Sequence, residues 1–161
     1  MKKMILLTVL VAMISTVSFG SRVVAKGQTF SALGDYKIEI TDNQVLMKGE
    51  DCQAYKISYS NSPMEVTVVV CKDRKCKRYV VLSDKLSVQY VCNTQYFGVE
   101  RLDKSYELEG LKTSDSALNK AEYFHQKVLG PGRQTEVEAA QLIASNFPFL
   151  LNTENGMTAA R

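Results

Sequence analysis

Four cysteines and one histidine carry the most specific chemistry in this sequence of 161 residues. If the chain is exported, as its first residues indicate below, an even number of cysteines predicts disulfide bonds. A structural zinc site is the alternative, but it usually needs two pairs of closely spaced cysteines. Cys71 and Cys76 are close enough to form one such pair, whereas Cys52 and Cys92 do not form a second. We therefore predict disulfides, with no metal ion and no cofactor.

The stretch 64–82 predicts a hairpin that connects two of these cysteines. Each half alternates apolar and polar residues, which is the period-two pattern of a half-buried strand. Placing Cys71 opposite Cys76 puts Val68 opposite Tyr79 on one face, and a slip of one residue would turn the valines toward solvent. The predicted disulfides are Cys71–Cys76 and, for the remaining two cysteines, Cys52–Cys92.

His125 is the only histidine, and it falls within a predicted helix. A single helical histidine is usually a surface or packing residue, and catalysis would need further groups around it. The sequence has no nucleophile elbow, paired-histidine motif or phosphate-binding loop, and no C-x-x-C redox motif. We therefore predict no catalytic residue.

The connection of the 64–82 hairpin is strongly basic. Its five basic residues, which we call the basic tip, are Lys72, Arg74, Lys75, Lys77 and Arg78. The functional interpretation is a contact for an acidic protein or an anionic envelope polymer, because clustered charge steers association. The alternative is a solvated loop that discourages edge-to-edge pairing of strands.

Five tyrosines lie in predicted strands, namely Tyr55, Tyr59, Tyr79, Tyr90 and Tyr96. A tyrosine suits a recognition surface because its ring is rigid and its hydroxyl is polar. The interpretation that we favour is core packing, with the hydroxyls at the edge of the sheet.

Residues 1–25 have the order of a secretory signal peptide. Lys2 and Lys3 precede an apolar run, and small residues follow it. The run of about 16 residues is shorter than the roughly 20 that span a bilayer. We expect export to the periplasm or secretion, with cleavage after Ala25 or, as the second choice, after Gly20. The mature chain should then have no membrane span.

The basic net charge belongs mostly to this leading segment. The chain has 20 Lys and Arg against 17 Asp and Glu, and residues 1–25 contain three of the basic residues and no acidic one. The remainder is therefore neutral. Because nucleic-acid binding needs a basic face across the domain, the composition argues against it.

Short alternating segments at about ten-residue spacing predict an antiparallel β-meander, because parallel strands would need long crossovers. The predicted strands cover residues 36–41, 44–48, 55–60, 64–71, 76–82 and 86–93, and a segment at 95–102 would make a seventh. Turn residues separate them, for example Thr41–Asn43 and Asn61–Pro63.

The period changes to that of helices after residue 110. One apolar row consists of Ala117, Ala121, Phe124 and Val128. Gly130 and Pro131 should end this first helix. Thr135 and Glu138 form a capping box before a second helix, which should end at Pro148. Strands followed by helices predict an α+β domain with the helices on one face of the sheet.

These observations give one domain and one leading functional hypothesis. We predict a flexible lead-in at 26–34, an α+β domain at 35–151 (meander 35–102, helices 113–147) and a frayed tail at 152–161. The hypothesis is an exported, non-catalytic binding or accessory module of the cell envelope, such as an inhibitor or a secretion-machine subunit. Its partner would be another envelope protein or an anionic envelope polymer. The alternative is a small periplasmic hydrolase whose site is assembled from scattered polar residues.

Overall fold

The computed structural model describes residues 21–47, 50–72, 77–92, 97–101 and 113–151. In this part of the chain, seven strands form one antiparallel sheet in sequence order. They are β1 (Arg22–Gln28), β2 (Asp35–Met47), β3 (Glu50–Tyr59), β4 (Ser62–Lys72), β5 (Lys77–Leu82), β6 (Ser87–Cys92) and β7 (Phe97–Arg101). The helices are α1 (Asp115–Phe124), which continues as the π-helix π1 (His125–Leu129), and α2 (Glu136–Leu151). The predicted α+β fold, an antiparallel β-meander followed by two helices, is thus confirmed.

The helices pack on one face of the sheet, and the core lies between the two layers. Alternate strand residues point toward the helices, as the period-two pattern requires, and Val68 is fully buried there. Aromatic rings join the layers. The ring centroids of Tyr59 and Phe147 are 6.4 Å apart, and those of Tyr90 and Phe124 are 6.0 Å apart.

The first two predicted strands are one continuous strand, β2. The register with β3 runs from Tyr36 opposite Tyr59 to Ile40 opposite Tyr55, and resumes with Gln44 opposite Gln53. The predicted turn at 41–43 is therefore wrong, because these residues form an irregularity within the strand. Extra residues on one strand of an antiparallel pair bend that strand without ending it.

Residues 22–28 form the edge strand β1, where the sequence predicted the end of a signal peptide and the start of a flexible lead-in. β1 pairs with β2 from Arg22, opposite Ile40, to Gln28, opposite Asp35. A loop at 29–34 then joins the two strands. The structure therefore replaces the predicted lead-in with a strand and a connecting loop.

Two local features explain why the sequence pattern did not predict β1. The register with β2 shifts between Val23 and Ala25, so the alternation of apolar and polar residues is interrupted. Gly27 lies opposite Tyr36, and a Cβ at Gly27 would collide with the Tyr36 ring. A glycine inside a strand marks such a close approach, although it weakens the strand signal in the sequence.

The hairpin of β4 and β5 forms in a register two residues away from the predicted one. Val68 lies opposite Val81 rather than Tyr79, and Cys71 lies opposite Arg78 rather than Cys76. A shift of two residues leaves every side chain on its predicted face, because the side-chain period of a strand is two. The predicted valine face is therefore buried, whereas the cross-strand pairs were wrong. Val69 and Val80 on the opposite face are buried as well, so the hairpin is not half-exposed as predicted.

The N-terminal caps of both helices follow the sequence. The Ser114 hydroxyl accepts a hydrogen bond from Ala117 N at 3.1 Å at the start of α1. Thr135 and Glu138 form the predicted capping box, in which Thr135 N donates to Glu138 Oε2 at 2.8 Å and Glu138 N donates to Thr135 Oγ1 at 3.2 Å. Each bond satisfies a backbone N–H that the helix itself leaves without an acceptor.

α2 continues through Pro148 to Leu151, so the predicted end of this helix is wrong. Proline lacks the N–H that would donate to the carbonyl of Ala144, four residues earlier. The Tyr59 hydroxyl donates to that Ala144 oxygen instead, at 2.9 Å and in a buried position. The sheet therefore supplies the hydrogen bond that Pro148 removes from the helix.

We expect Tyr59→Phe to lower the free energy of unfolding by about 1–3 kcal/mol, because it leaves the buried Ala144 carbonyl without a donor. Urea unfolding measures the change, and the exposed Tyr123→Phe serves as the control. In a Pro148→Ala background the new backbone N–H can reach Ala144, so Tyr59→Phe should cost clearly less there. An equal cost in both backgrounds would show that Ala144 is not the group that Tyr59 serves.

Candidate functional site

The disulfide described in the structure joins Cys52 to Cys71, so both predicted pairings are wrong. The two residues are directly opposite each other on β3 and β4, with their Cα atoms 4.1 Å apart. Such closeness is typical of a non-hydrogen-bonded antiparallel pair, whose side chains approach each other most closely. Cys76 lies outside the described residues. Because Cys52 and Cys71 are bonded to each other, neither the Cys71–Cys76 nor the Cys52–Cys92 disulfide can form.

The structure describes only part of the basic tip. Arg74 and Lys75 lie outside the described residues, and Lys72 ends β4. Lys77 Nζ donates to the backbone oxygen of Gln134 at 2.7 Å, so this ammonium ties β5 to the loop before α2. Arg78 is half-buried opposite Cys71. A shared anion-binding surface of the five residues therefore stays a prediction.

Four of the five strand tyrosines belong to the core, as the packing interpretation predicted, but their hydroxyls were wrongly expected at the edge of the sheet. The Tyr79 and Tyr90 hydroxyls are buried, and the Tyr59 hydroxyl bonds α2 in a buried position. Tyr55, Tyr59, Tyr79 and Tyr90 are buried, and Tyr96 lies outside the described residues. Burial raises the pKa of each of the four phenols, and Glu136 raises that of Tyr55 further. The Tyr55 hydroxyl donates to Glu136 Oε2 at 3.0 Å. These four side chains do not form a recognition surface.

His125 lies in π1 against the last residue of β6, an arrangement the sequence did not suggest. Its Nε2 atom is 3.1 Å from Cys92 Sγ, and its ring stacks on Tyr90 with centroids 5.5 Å apart. His125 is 1% exposed and Cys92 is 2% exposed. Burial lowers the pKa of His125, and a hydrogen bond with the Val91 backbone opposes that shift. Burial therefore favours the neutral form of the imidazole.

The surroundings of this thiol–imidazole pair are those of a packed core. Gly132, which has a φ of +76°, lies so close that a Cβ there would be 2.7 Å from Cys92 Cβ and 3.5 Å from the Tyr79 hydroxyl. The Tyr79 and Tyr90 hydroxyls have no hydrogen-bond partner in the described part of the chain. A thiol beside an imidazole can act as a nucleophile, but a substrate would have to displace the Gly132 backbone to reach this one.

The most unusual surface residue is Phe30, in the loop at 29–34 between β1 and β2. It is 93% exposed, and its φ of +54° lies in the left-handed region that residues with a side chain rarely adopt. The backbone conformation costs roughly 1–2 kcal/mol for a residue other than glycine. Leaving the ring in water forgoes about 1.5–3 kcal/mol of burial. Neither cost brings a visible gain within the part of the chain that the structure describes.

Hydrogen bonds hold the Phe30 loop in this conformation. The Thr29 hydroxyl donates to Gly34 O at 2.7 Å and lies 2.6 Å from the Ser31 hydroxyl. Leu33 O accepts from Asn61 N at 3.0 Å, which joins the loop to the turn between β3 and β4. Hydrogen bonds around Phe30 therefore fix its strained backbone conformation. Backbone strain persists at functional sites under this condition.

A shallow groove lies directly beside the Phe30 loop. Its volume is about 490 Å³, and it is lined by Leu33, Ser62, Pro63, Met64, Glu65, Asp84, Lys85 and Leu151. The groove thus joins the loop, the turns after β3 and β5, and the end of α2. We call the Phe30 loop together with this groove the loop-end surface. It lies at the end of the sheet opposite to the disulfide and to Lys72 and Lys77, the described residues at the ends of β4 and β5.

The sequence contained a weak signal for the loop. Gly27 and Gly34 bracket six residues rich in hydroxyl and small side chains, just before the alternation that begins at Tyr36. Such a segment between two strands is typical of a connecting loop. Without a recognisable strand before it, this segment looks like a lead-in, and its sequence does not distinguish Phe30 from its neighbours.

Two further exposed aromatic side chains form a pair on the outer side of the helices. Tyr123 of α1 and Phe149 of α2 are 56% and 42% exposed, with ring centroids 6.1 Å apart. Lys120 Nζ is 6.0 Å from the centre of the Phe149 ring, which is within the range of a cation–π contact. These side chains contact one another and have ordinary backbone geometry, so they serve as controls for Phe30.

Other features of the described residues add no further site. Within these ranges, no group of three or more His, Cys, Asp or Glu side chains could hold a metal ion. No helix in the same part of the chain is long and apolar enough to cross a membrane. The chain matches no protein-family model, no curated protein and no solved structure.

Proposed function

We propose that this chain is an exported, disulfide-bonded binding module that contacts a protein partner through its loop-end surface. The observation that carries the proposal is Phe30, a large apolar side chain held almost fully in water on a strained but tightly bonded backbone. A contact that buries the ring would recover the free energy that the isolated chain forgoes. Aromatic side chains are also the residues that most often anchor protein interfaces.

The rigidity of the loop favours binding over a merely tolerated exposed residue. Fixing a contact residue in advance lowers the entropy that must be lost on association. The hydrogen bonds of Thr29 and the link from Asn61 to Leu33 provide that fixation here. A protein partner fits better than an anionic polymer, because a phenyl ring needs an apolar pocket to enter.

Export is supported by the cross-strand disulfide. Disulfides persist in oxidising compartments and are rare in reducing ones. Cys52 and Cys71 are both buried, so their bridge is structural in character. The partner should therefore be a protein of the cell envelope or of the medium, where the module would act as an accessory subunit or an inhibitor.

The position of β1 refines the proposed signal cleavage. Cleavage after Ala25 would remove the first four residues of a seven-residue strand that pairs with β2. We therefore expect the mature chain to begin at Ser21, which corresponds to cleavage after Gly20. Intact-mass measurement of the exported protein distinguishes the two sites. A folded mature chain beginning at Lys26 would contradict this expectation and would mean that β1 is dispensable.

The alternative function, a hydrolase, would use the Cys92–His125 pair. The Sγ–Nε2 distance of 3.1 Å is suitable for proton transfer. Both side chains are at most 2% exposed, however, and Gly132 packs against the Cys92 side chain. This burial supports a packing role for the pair and favours the binding module.

Comparison of two single variants tests the proposed contact. Phe30→Ala should abolish chemical cross-linking of the exported protein to its partner in intact cells, whereas Phe149→Ala, which removes an exposed ring from α2, should leave it unchanged. At protein concentrations too low for association, the free energy of unfolding of both variants should lie within about 0.5 kcal/mol of the wild-type value, because the two rings are exposed. Equal cross-linking of all three proteins would refute a role for Phe30 in binding.

A further inference from the structure

We infer, resting on the proposed function, that the partner at the loop-end surface is a second copy of this chain. In this dimer Phe30 of each copy enters the groove beside the Phe30 loop of the other. The inference depends on a projecting ring and a matching groove that lie side by side on one molecule.

The groove has the size and lining to accept the ring. An apolar cavity of roughly 150 Å³ is sufficient for a benzene molecule, and the groove measures about 490 Å³. Leu33, Met64 and Leu151 supply apolar contacts, and each is only partly buried in the isolated chain. A phenyl ring placed among them would gain the packing that Phe30 lacks in its own chain.

The arrangement also meets the symmetry condition for a closed dimer. A two-fold axis requires that one surface patch contain both of the complementary features, so that each copy gives and receives the same contact. Phe30 and Leu33 belong to the same six-residue loop, and Leu33 forms one wall of the groove. A two-fold dimer can therefore make both Phe30 contacts in a single closed interface, without the open ends that would produce a fibre.

Charges at the rim of the groove are compatible with self-association. Glu65, Asp84 and Lys85 are exposed there and carry both signs. Glu65 is already paired with Lys56 Nζ at 2.8 Å within its own chain. In a two-fold arrangement, Lys85 of one copy can approach Asp84 of the other. Patches of one sign would repel each other, whereas mixed charge permits the approach.

Sedimentation velocity of the purified mature chain, over a concentration series, tests the dimer. The wild type should show a monomer–dimer equilibrium. Phe30→Ala should raise the dissociation constant at least about 100-fold, because it removes both anchors of the interface. Met64→Glu should do the same by placing a charge in the groove. Phe149→Ala is the matched control and should dimerise like the wild type.

Mixing the two defective variants gives the most specific result. Phe30→Ala keeps an intact groove and Met64→Glu keeps an intact ring, so one of the two contacts can form between them. The mixture should therefore dimerise more strongly than either variant alone. A structural defect in either variant would not be rescued in this way.

The outcomes separate this inference from the proposed function. A wild type that stays monomeric at about 100 μM, well above the micromolar range of ordinary specific complexes, would overturn the inference. Dimerisation that Phe30→Ala does not weaken would overturn it as well. If the wild type is monomeric while Phe30→Ala still loses a cross-link to a different protein, the binding function stands and the second copy is the wrong partner.

Discussion

Replacing Cys52 and Cys71 together by alanine should lower the free energy of unfolding by about 3 kcal/mol. The two cysteines are 19 positions apart in sequence, so their bridge closes a loop that contains the whole turn between β3 and β4. In the chain-entropy account, the cross-link acts mainly by restricting the unfolded chain. The native sheet should form in the variant, because the β3–β4 register is also held by the strand pairing.

Urea unfolding of the wild type and the double variant measures this loss, and reduced wild type provides the matched control. Reduction should destabilise the wild type by a similar amount and leave the double variant almost unchanged. Peptide mapping without reduction should recover the Cys52–Cys71 link. Recovery of Cys71–Cys76 or Cys52–Cys92 would contradict the observed register of β3 and β4.

The second large effect is expected at Gly132. Alanine there should cost about 2–5 kcal/mol, since it combines an unfavourable positive φ with overpacking of the core. The added Cβ would lie 2.7 Å from Cys92 Cβ, and backbone and side chain would both have to move. The added Cβ would distort the contact between the 130–134 loop and β6. The Cys92–His125 pair lies at this contact and would be distorted with it.

Gly130 offers a matched control for this variant in the same loop. Its φ of +55° is also positive, but a Cβ there would meet nothing within 4 Å. Gly130→Ala should therefore show only the backbone cost, roughly 1–3 kcal/mol. Thermal unfolding of both variants compares them. Equal destabilisation would mean that the loop does not pack on Cys92 as described.

Side-chain periodicity made the main layers predictable. The buried faces of β4 and β5, the order of the strands and the capping box at Thr135 all depend on patterns within a few residues of each other. The alternation shows which side of a strand is buried, but a register shift of two residues preserves it. For this reason the faces of the 64–82 hairpin were right while its cross-strand pairs were not.

The disulfide was within reach of the sequence. Cys52 and Cys71 lie 10 and 9 positions from the centre of the predicted turn at 61–63, so a hairpin around that turn brings them within one residue of each other. The register shift between Ser58 and Tyr59 then places them directly opposite each other. The predicted pairing rests only on the hairpin that contains Cys71 and Cys76. Each inner strand of a meander pairs with two neighbouring strands. A cysteine in such a strand can therefore lie opposite a cysteine of either neighbour, and the turn on each side sets which one.

Other features arise only in three dimensions. The Tyr59 hydroxyl reaches Ala144 across 85 positions of sequence, which allows α2 to continue past Pro148. The His125 contact with Cys92 depends on π1 lying against the end of β6. The φ of Phe30 results from hydrogen bonds around it, and no local sequence pattern specifies a left-handed phenylalanine. Residues of this kind carry the functional proposal.

The central claim is that Phe30 is a contact residue, and photo-cross-linking from that position tests it most directly. A benzophenone amino acid would replace Phe30 in one strain and Phe149 in another, and exporting cells would be irradiated. We predict a covalent protein adduct from position 30 and none from position 149, with a mass of twice the chain if the partner is a second copy. No adduct from position 30 in correctly folded protein, or an equally strong adduct from position 149, would contradict the account.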